Sequence, residues 1–303
     1  MRSTLVVLAL WGCGTSTDPG RTVEELFEHY RIASSPGSLS IPGESISDAD
    51  LIAILSDPRT PPITSVELSG NQIGNRGLEH LLQSPKTETL RFLNLAHNKL
   101  DNESARLLSR SPRMNSVEYL LLAGNDLSAE GVQHLAESPF LGGLSNLSLG
   151  TQNLGSDSAA HLAELGPLQT LDLTNAGITA SGASDLLEHA KTQTLLLAEN
   201  PLHRDQFSLP SFSDHLIHLD LRNCQLGARQ IQELQQVGSG ARLETINLSN
   251  NPLNDSGLAA LGAATWLGEL KKLEAYESQS TLESRRALRE SWGRRGGLKV
   301  ETR

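Results

Sequence analysis

Apolar residues recur along this chain at fixed offsets from a polar slot, and the recurrence covers most of its length. In Leu243–Leu261, LETINLSNNPLNDSGLAAL, leucine and isoleucine stand at Leu243, Ile246, Leu248, Leu253, Leu258 and Leu261 around Asn251. With that asparagine as origin, equivalent slots fall at Glu44, Asn71, Asn98, Asn125, Gln152, Ala176, Asn200, Cys224, Asn251 and Ser278. The intervals are 27 residues four times, 24 three times, then 27 twice more. Three residues before every origin stands an apolar residue, from Ile41 and Leu68 to Leu248 and Ala275. Two residues after it the series runs from Ile46 to Leu253 and ends on Ser280. Ten residues after it the series runs from Ile54 to Leu288, interrupted by Pro210.

Each slot predicts an element. The apolar-x-apolar triplet before the origin is a short strand whose alternate side chains point in and out. Copies one unit apart would pair in parallel at about 4.8 Å. The polar slot follows the strand where the chain turns inward, and a buried side chain there can bond backbone groups that lack partners. Gly77, Gly131, Gly182 and Gly257 stand ahead of the next periodic segment and read as tight bends. From there to the leucine ten residues past the origin, a helix is expected on the outer face.

The template L-x-x-L-x-L-x-x-N-x-L followed by a helical half resembles a leucine-rich repeat. Its period is similar to the ribonuclease-inhibitor type, and the 24-residue units to the shorter bacterial variants of that class. Over residues 36–290 the resemblance implies an α/β solenoid, a curved right-handed horseshoe of about ten units. A parallel sheet would line its concave face and helices its convex face. The resemblance also implies binding of a protein partner rather than turnover of a substrate, and it transfers no catalytic residue.

A solenoid exposes an apolar edge at each end, so caps are expected. Thr22-Val23-Glu24-Glu25 has the form of a capping box, and Val23, Leu26, Phe27 and Tyr30 follow at helical spacing. Residues 22–33 are therefore expected to form an amphipathic helix within an N-terminal cap spanning 20–35. Residues 291–303 read as a basic C-terminal cap, with Trp266 and Trp292 packing at that end and Leu298 and Val300 adding a last strand. The unit after Asn200 departs furthest from the template. Gln206 takes its glycine slot and Pro210 its leucine slot, and proline excludes a regular helix. A loop or short turn is expected there, with Phe207 filling the core gap.

Composition narrows the partners. Hydrophobic residues make up 38% but aromatics only 4%, so leucine and isoleucine in repeated slots must carry the core. The net charge of −10 argues against nucleic acid or an anionic membrane as partner of the main body. From Ser284 to Arg303 seven basic residues face Glu290 and Glu301, a local +5 that leaves about −15 for the rest. Cys13 and Cys224 lie far apart in unlike contexts, which gives no disulfide framework. At the N-terminus, Arg2, the apolar run Leu5–Trp11 and Gly12-Cys13 have the layout of a short secretory signal. Leu10-Trp11-Gly12-Cys13 also resembles a bacterial lipobox. That resemblance implies that residues 1–19 are leader and spacer, that Cys13 is lipidated, and that the protein is anchored on a bacterial cell envelope, the outer membrane favoured by Gly14. The alternative is a cytoplasmic repeat protein acting as an adaptor or regulator.

No G-x-S-x-G, P-loop, C-x-x-C or H-E-x-x-H occurs, so neither a cofactor nor a metal is expected. His80, His134 and His161 each fall nine residues after an origin, the mark of a duplicated surface residue rather than of ligands about 2 Å from one ion. His203, Asp205, His215 and His218 around the irregular 200–218 segment are the remaining candidates for an enzyme or metal site. Cys224 occupies the ladder slot and reads as buried and structural. Binding is expected instead on outward strand positions. Phe92, Tyr119 and Leu121 would form an apolar patch on adjacent strands, with Leu196 further along. Asp172, His218, Asp220 and Arg222 would form a polar, mostly acidic patch. The expected assembly is a monomer bound to another protein.

Overall fold

The computed structural model describes residues 21–30, 32, 37–206, 212–234, 242–264, 270–293 and 299–302. Its strands are β1 (Gly37–Ser40), β2 (Ile63–Glu67), β3 (Phe92–Asn94), β4 (Tyr119–Leu121), β5 (Asn146–Ser148), β6 (Leu168–Asp172), β7 (Thr192–Leu196), β8 (His218–Asp220), β9 (Thr245–Asn247), β10 (Lys272–Glu274) and β11 (Lys299–Glu301). They form one parallel sheet in strict chain order. Its helices are α1 (Val23–Tyr30), α2 (Asp48–Ser56), α3 (Asn75–Gln83), α4 (Asn102–Arg110), α5 (Ala129–Ala136), α6 (Asp157–Glu164), α7 (Ala180–His189), α8 (Ala228–Leu234), α9 (Asn254–Ala263) and α10 (Leu282–Gly293). This is an open α/β solenoid.

The core is a stack of the repeated apolar slots. Every residue three before an origin is buried, as are the described residues ten after it. In β3 to β10 the next-to-last side chain of each strand points inward. Leu93, Leu120, Leu147, Leu171, Leu195, Leu219, Ile246 and Leu273 are all buried, and their flanking neighbours face out. The register keeps equivalent residues side by side, so Phe92 pairs with Tyr119, Tyr119 with Asn146, and Thr194 with His218.

The polar slot holds adjacent units together. Asn251 accepts hydrogen bonds through Oδ1 from the Cys224 and Leu226 amides, both at 2.9 Å. Its Nδ2 donates to the carbonyls of Leu221 and Leu248 at 2.8 and 2.9 Å. Asn71, Asn125 and Asn200 make the same four bonds to their own neighbours. Cys224 offers far less: its thiol donates to the Leu197 carbonyl at 3.1 Å, with a longer contact to Arg222. Burial pushes that thiol up to about 12, so it stays protonated. One residue upstream lies a second repeated device. Gly43, Gly70, His97, Gly124, Thr151, Asn175, Glu199, Asn223, Asn250 and Glu277 all have φ between +50° and +72°. Each turn therefore passes through the left-handed region, which costs an L-residue about 1–2 kcal/mol where glycine is absent.

The helix glycines differ from expectation. Gly77, Gly131, Gly182 and Gly257 do not make bends; they lie inside α3, α5, α7 and α9. At Gly77, Gly131 and Gly182 their role is close approach to the preceding unit, whereas a Cβ on Gly257 would meet Leu253 of its own unit at 3.1 Å. A Cβ on Gly77 would stand 2.4 Å from Asp48 Oδ1, and one on Gly131 2.6 Å from Asn102 Oδ1. Those oxygens accept the Gly74 and Ser128 amides at 2.7 and 3.0 Å, so each helix N-terminus is capped by the unit before it. The glycine is the space that the capping side chain needs.

At the N-terminus the expected helix over 22–33 is shorter, Val23–Tyr30, with Ile32 buried beyond it. Thr22 and Glu25 close the capping box at 2.8 and 3.3 Å. Backbone and side-chain hydrogen bonds with Thr22 hold the Glu25 carboxyl below its usual range. Leu26 and Phe27 are buried, and Arg59 lies over the Phe27 ring at 4.3 Å while pairing with Glu24 at 3.0 Å. At the other end Trp292 is buried and donates to the Leu261 carbonyl at 3.1 Å, and Val300 lies in β11. Trp266, Phe207, Pro210 and Leu298 lie outside the described residues, as does the leader with Cys13. In the irregular unit the described residues between β7 and β8 contain no helix. Phe212 and Leu216 are buried there, and Ser213 bonds back to the Leu187 and Ala190 carbonyls at 2.7 and 2.8 Å.

Candidate functional site

Three rows of side chains cross the concave face, set by the strand register. The first is Phe92, Tyr119, Asn146, Thr170, Thr194, His218, Thr245 and Lys272. The second, two residues on, is Asn94, Leu121, Ser148, Asp172, Leu196, Asp220, Asn247 and Glu274. The third begins Ala96, Ala123, Gly150, Thr174, Ala198, Arg222 and Ser249. Phe92, Tyr119 and Leu121 come together as the register requires. The two rings lie 6.0 Å apart, tilted by 40°, and Tyr119 is 40% exposed while Phe92 and Leu121 are half-buried. Such an aromatic pair contributes about 0.5–1.5 kcal/mol beyond its buried area.

The second row has a task that the sequence did not reveal. Glu67, Asn94, Asp172, Asp220 and Asn247 each accept a hydrogen bond from the amide two residues on, all within 3.0–3.1 Å. These side chains close the end of their own strands, a local pattern typical of Asp and Asn. The carboxylates expected to face a partner are therefore engaged. Asp172 also accepts from Ser148 Oγ at 3.0 Å. Asp220 is neutralised by Arg222, whose guanidinium lies 2.7 Å away and is raised above its ordinary pKa by that hydrogen bond. His218 bonds Thr245 Oγ1 across the sheet at 2.8 Å. The expected acidic patch is thus a set of internally paired groups.

Leu121 and Leu196 stand out in this row, because a leucine cannot make the strand-closing bond. From β3 to β7 Asp172 is the only charged residue in the three rows. Floor positions are small, and Gly150 is held so by backbone: a Cβ there would meet the Thr174 carbonyl at 2.4 Å. At the C-terminal end, ion pairs lie along the strands. Lys272 pairs with Glu274 at 2.8 Å, and Glu301 takes both Lys299 and the Tyr276 hydroxyl. Tyr276 belongs to the third row; its place two residues before Ser278 would have revealed it.

The other candidates are dispersed. His80, His134 and His161 lie half-buried on three outer helices, His80 beside Ser56 Oγ at 3.2 Å. His203, Asp205 and His215 are exposed, and no group of three or more His, Cys, Asp or Glu is placed to hold a metal among the described residues. No described helix is long and apolar enough to cross a membrane.

Comparison with known families agrees with this geometry. Residues 61–82, 88–109, 167–187 and 243–262 match the family model described as Leucine Rich repeat. These four segments carry leucine-rich repeats, and such repeats are in general protein-binding scaffolds. No curated protein matches the chain.

Proposed function

We propose that this chain is a non-catalytic scaffold that holds a protein partner against its concave face, with Phe92, Tyr119 and Leu121 as the anchor. The observation that carries this reading is the leucine at 121. Where five strands spend this position on closing their own turn, β4 presents an apolar side chain beside the one well-exposed aromatic ring among the described residues of the face. Leu196 repeats the substitution on β7. With Asp172 the only charge in the three rows from β3 to β7, and that one engaged, affinity there rests on apolar contact and shape, as at aromatic hot spots. His218, Asp220 and Arg222 lie further along and would fix orientation. The 27-residue units with outer helices of about two turns favour the ribonuclease-inhibitor type. The lipobox-like Leu10–Cys13 supports tethering to a bacterial envelope through a lipid on Cys13.

A photo-crosslinking residue placed at Tyr119, and separately at Arg76 on α3, tests the face. The partner should be captured from Tyr119. Combining Tyr119→Ala with Leu121→Asp should then weaken its binding at least tenfold with an unchanged melting temperature. Capture from Arg76 alone, or unchanged binding by the double variant, would overturn the reading. Intact mass and fractionation in a bacterial host test the anchor. A membrane-bound product beginning at acylated Cys13, released by Cys13→Ser, supports it; a soluble, unmodified chain from Met1 rejects it.

A further inference from the structure

Two layers bind each unit of this solenoid to the next, an inner one of strands and ladder side chains and an outer one of helices. In a linear array, cooperativity passes only through such nearest-neighbour contacts. From α1 to α7, and again from α8 to α10, each helix packs against the next; α7 and α8 do not pack in this way. The unit between them, built on Asn200, has no helix among its described residues.

The inner layer is weakest at the same place. Most interfaces carry an amide in the ladder slot, and that of Asn251 makes three bonds across its junction, to the Cys224 and Leu226 amides and the Leu221 carbonyl, and a fourth to Leu248 in its own unit. At the β7–β8 junction the slot holds Cys224. Its single donor reaches the Leu197 carbonyl, and its sulfur, which the Asn200 amide approaches, is a weak acceptor in place of the amide oxygen that elsewhere receives two backbone amides. The Leu202 amide turns instead to the carbonyl of Asn200 in its own unit, at 2.9 Å. Ala176 and Ser278 also lack the amide, but at those junctions α6 packs on α7 and α9 on α10. Among the described residues, β7–β8 is the internal junction at which both layers are reduced, leaving the strand bonds, such as Leu197 N to Asp220 O at 2.9 Å, and the buried Leu195, Leu197, Leu219 and Leu221.

We infer that the β7–β8 junction is a seam dividing the solenoid into two blocks that open separately, residues 37–202 and 218–302. The C-terminal block has three units against seven, so it opens first. The seam falls between Leu196 and the His218–Arg222 group, so the concave face is divided there as well.

Hydrogen exchange of the full chain across a urea series, read by mass spectrometry, tests this. Peptides from β8 to β10 should lose protection together at lower urea than peptides from β2 to β7. Leu248→Ala should lower the midpoint of the C-terminal block alone, and Leu95→Ala that of the N-terminal block. Cys224→Asn, which restores both the donor and the acceptor, should close most of the gap between the two midpoints. Loss of protection in one transition throughout the chain would overturn the inference. So would Leu248→Ala lowering α3 and α4 as much as β9. If Cys224→Asn does not fold, the two leucine variants still decide.

Discussion

Replacing Asn251 by alanine isolates what the ladder slot contributes. The side chain is fully buried, so water cannot take over its partners. Four bonds of 2.8–2.9 Å vanish: two accepted from the Cys224 and Leu226 amides and two donated to the Leu221 and Leu248 carbonyls. At about 1 kcal/mol net for each bond, the loss is about 4 kcal/mol, and the two orphaned amides push it upward. Cys224→Ala one unit earlier is the matched control. It removes one thiol donor from an equally buried slot and should cost only about 1 kcal/mol. Urea unfolding followed by circular dichroism, with the midpoint shift multiplied by the slope, gives both values. If the two variants fall within about 1 kcal/mol of each other, the amide ladder is not what joins the units, and leucine stacking alone must do so.

Other outcomes follow from single features. Thr151 is a β-branched residue at φ 54°, so Thr151→Asn should raise stability by about 0.5–1 kcal/mol in thermal melts, and Thr151→Val should bring no gain. Gly131→Ala should cost about 1–2 kcal/mol despite better helix propensity, because its Cβ would displace the Asn102 cap; in an Asn102→Ala background the same change should be neutral or favourable. Hydrogen bonds from Lys299 and then Tyr276 hold the Glu301 carboxyl at about 2, below its usual range. Its contribution is therefore complete above pH of about 4.5 and lost as the pH falls toward about 2, so the protection of the β11 amides, relative to their intrinsic exchange rate at each pH, should fall across that window and stay constant above it.

Much of the fold was legible because repetition supplies ten readings of each slot. Leu68, Leu95, Leu122 and their equivalents could be assigned to the core without any single position being decisive. The glycines at 77, 131, 182 and 257 misled because glycine signals both bends and close packing, and at 77, 131 and 182 only the neighbouring unit's side chain distinguishes them. The left-handed slot before each origin carried a signal in its six glycines and asparagines, but His97, Thr151, Glu199 and Glu277 obscured it. At the candidate site the register placed Phe92 beside Tyr119 correctly. It did not reveal that Asp172 and Asp220 bend back onto their own backbones, since an outward strand position does not specify which way a carboxylate turns.

The division of labour between the first two rows determines how this face can be retargeted. Positions such as Phe92, Tyr119, Asn146, Thr170 and Thr194 carry no strand-closing bond, so a library varied there would explore new partners at little structural expense. Varying Asn94, Asp172, Asp220 or Asn247 would sample partners and unravel strand ends together. At Leu121 and Leu196 that bond is already absent. A drifting lineage, or an engineer, can therefore rewrite the first row from β3 to β7 and those two leucines freely, while Asn94, Asp172, Asp220 and Asn247 keep the scaffold constant.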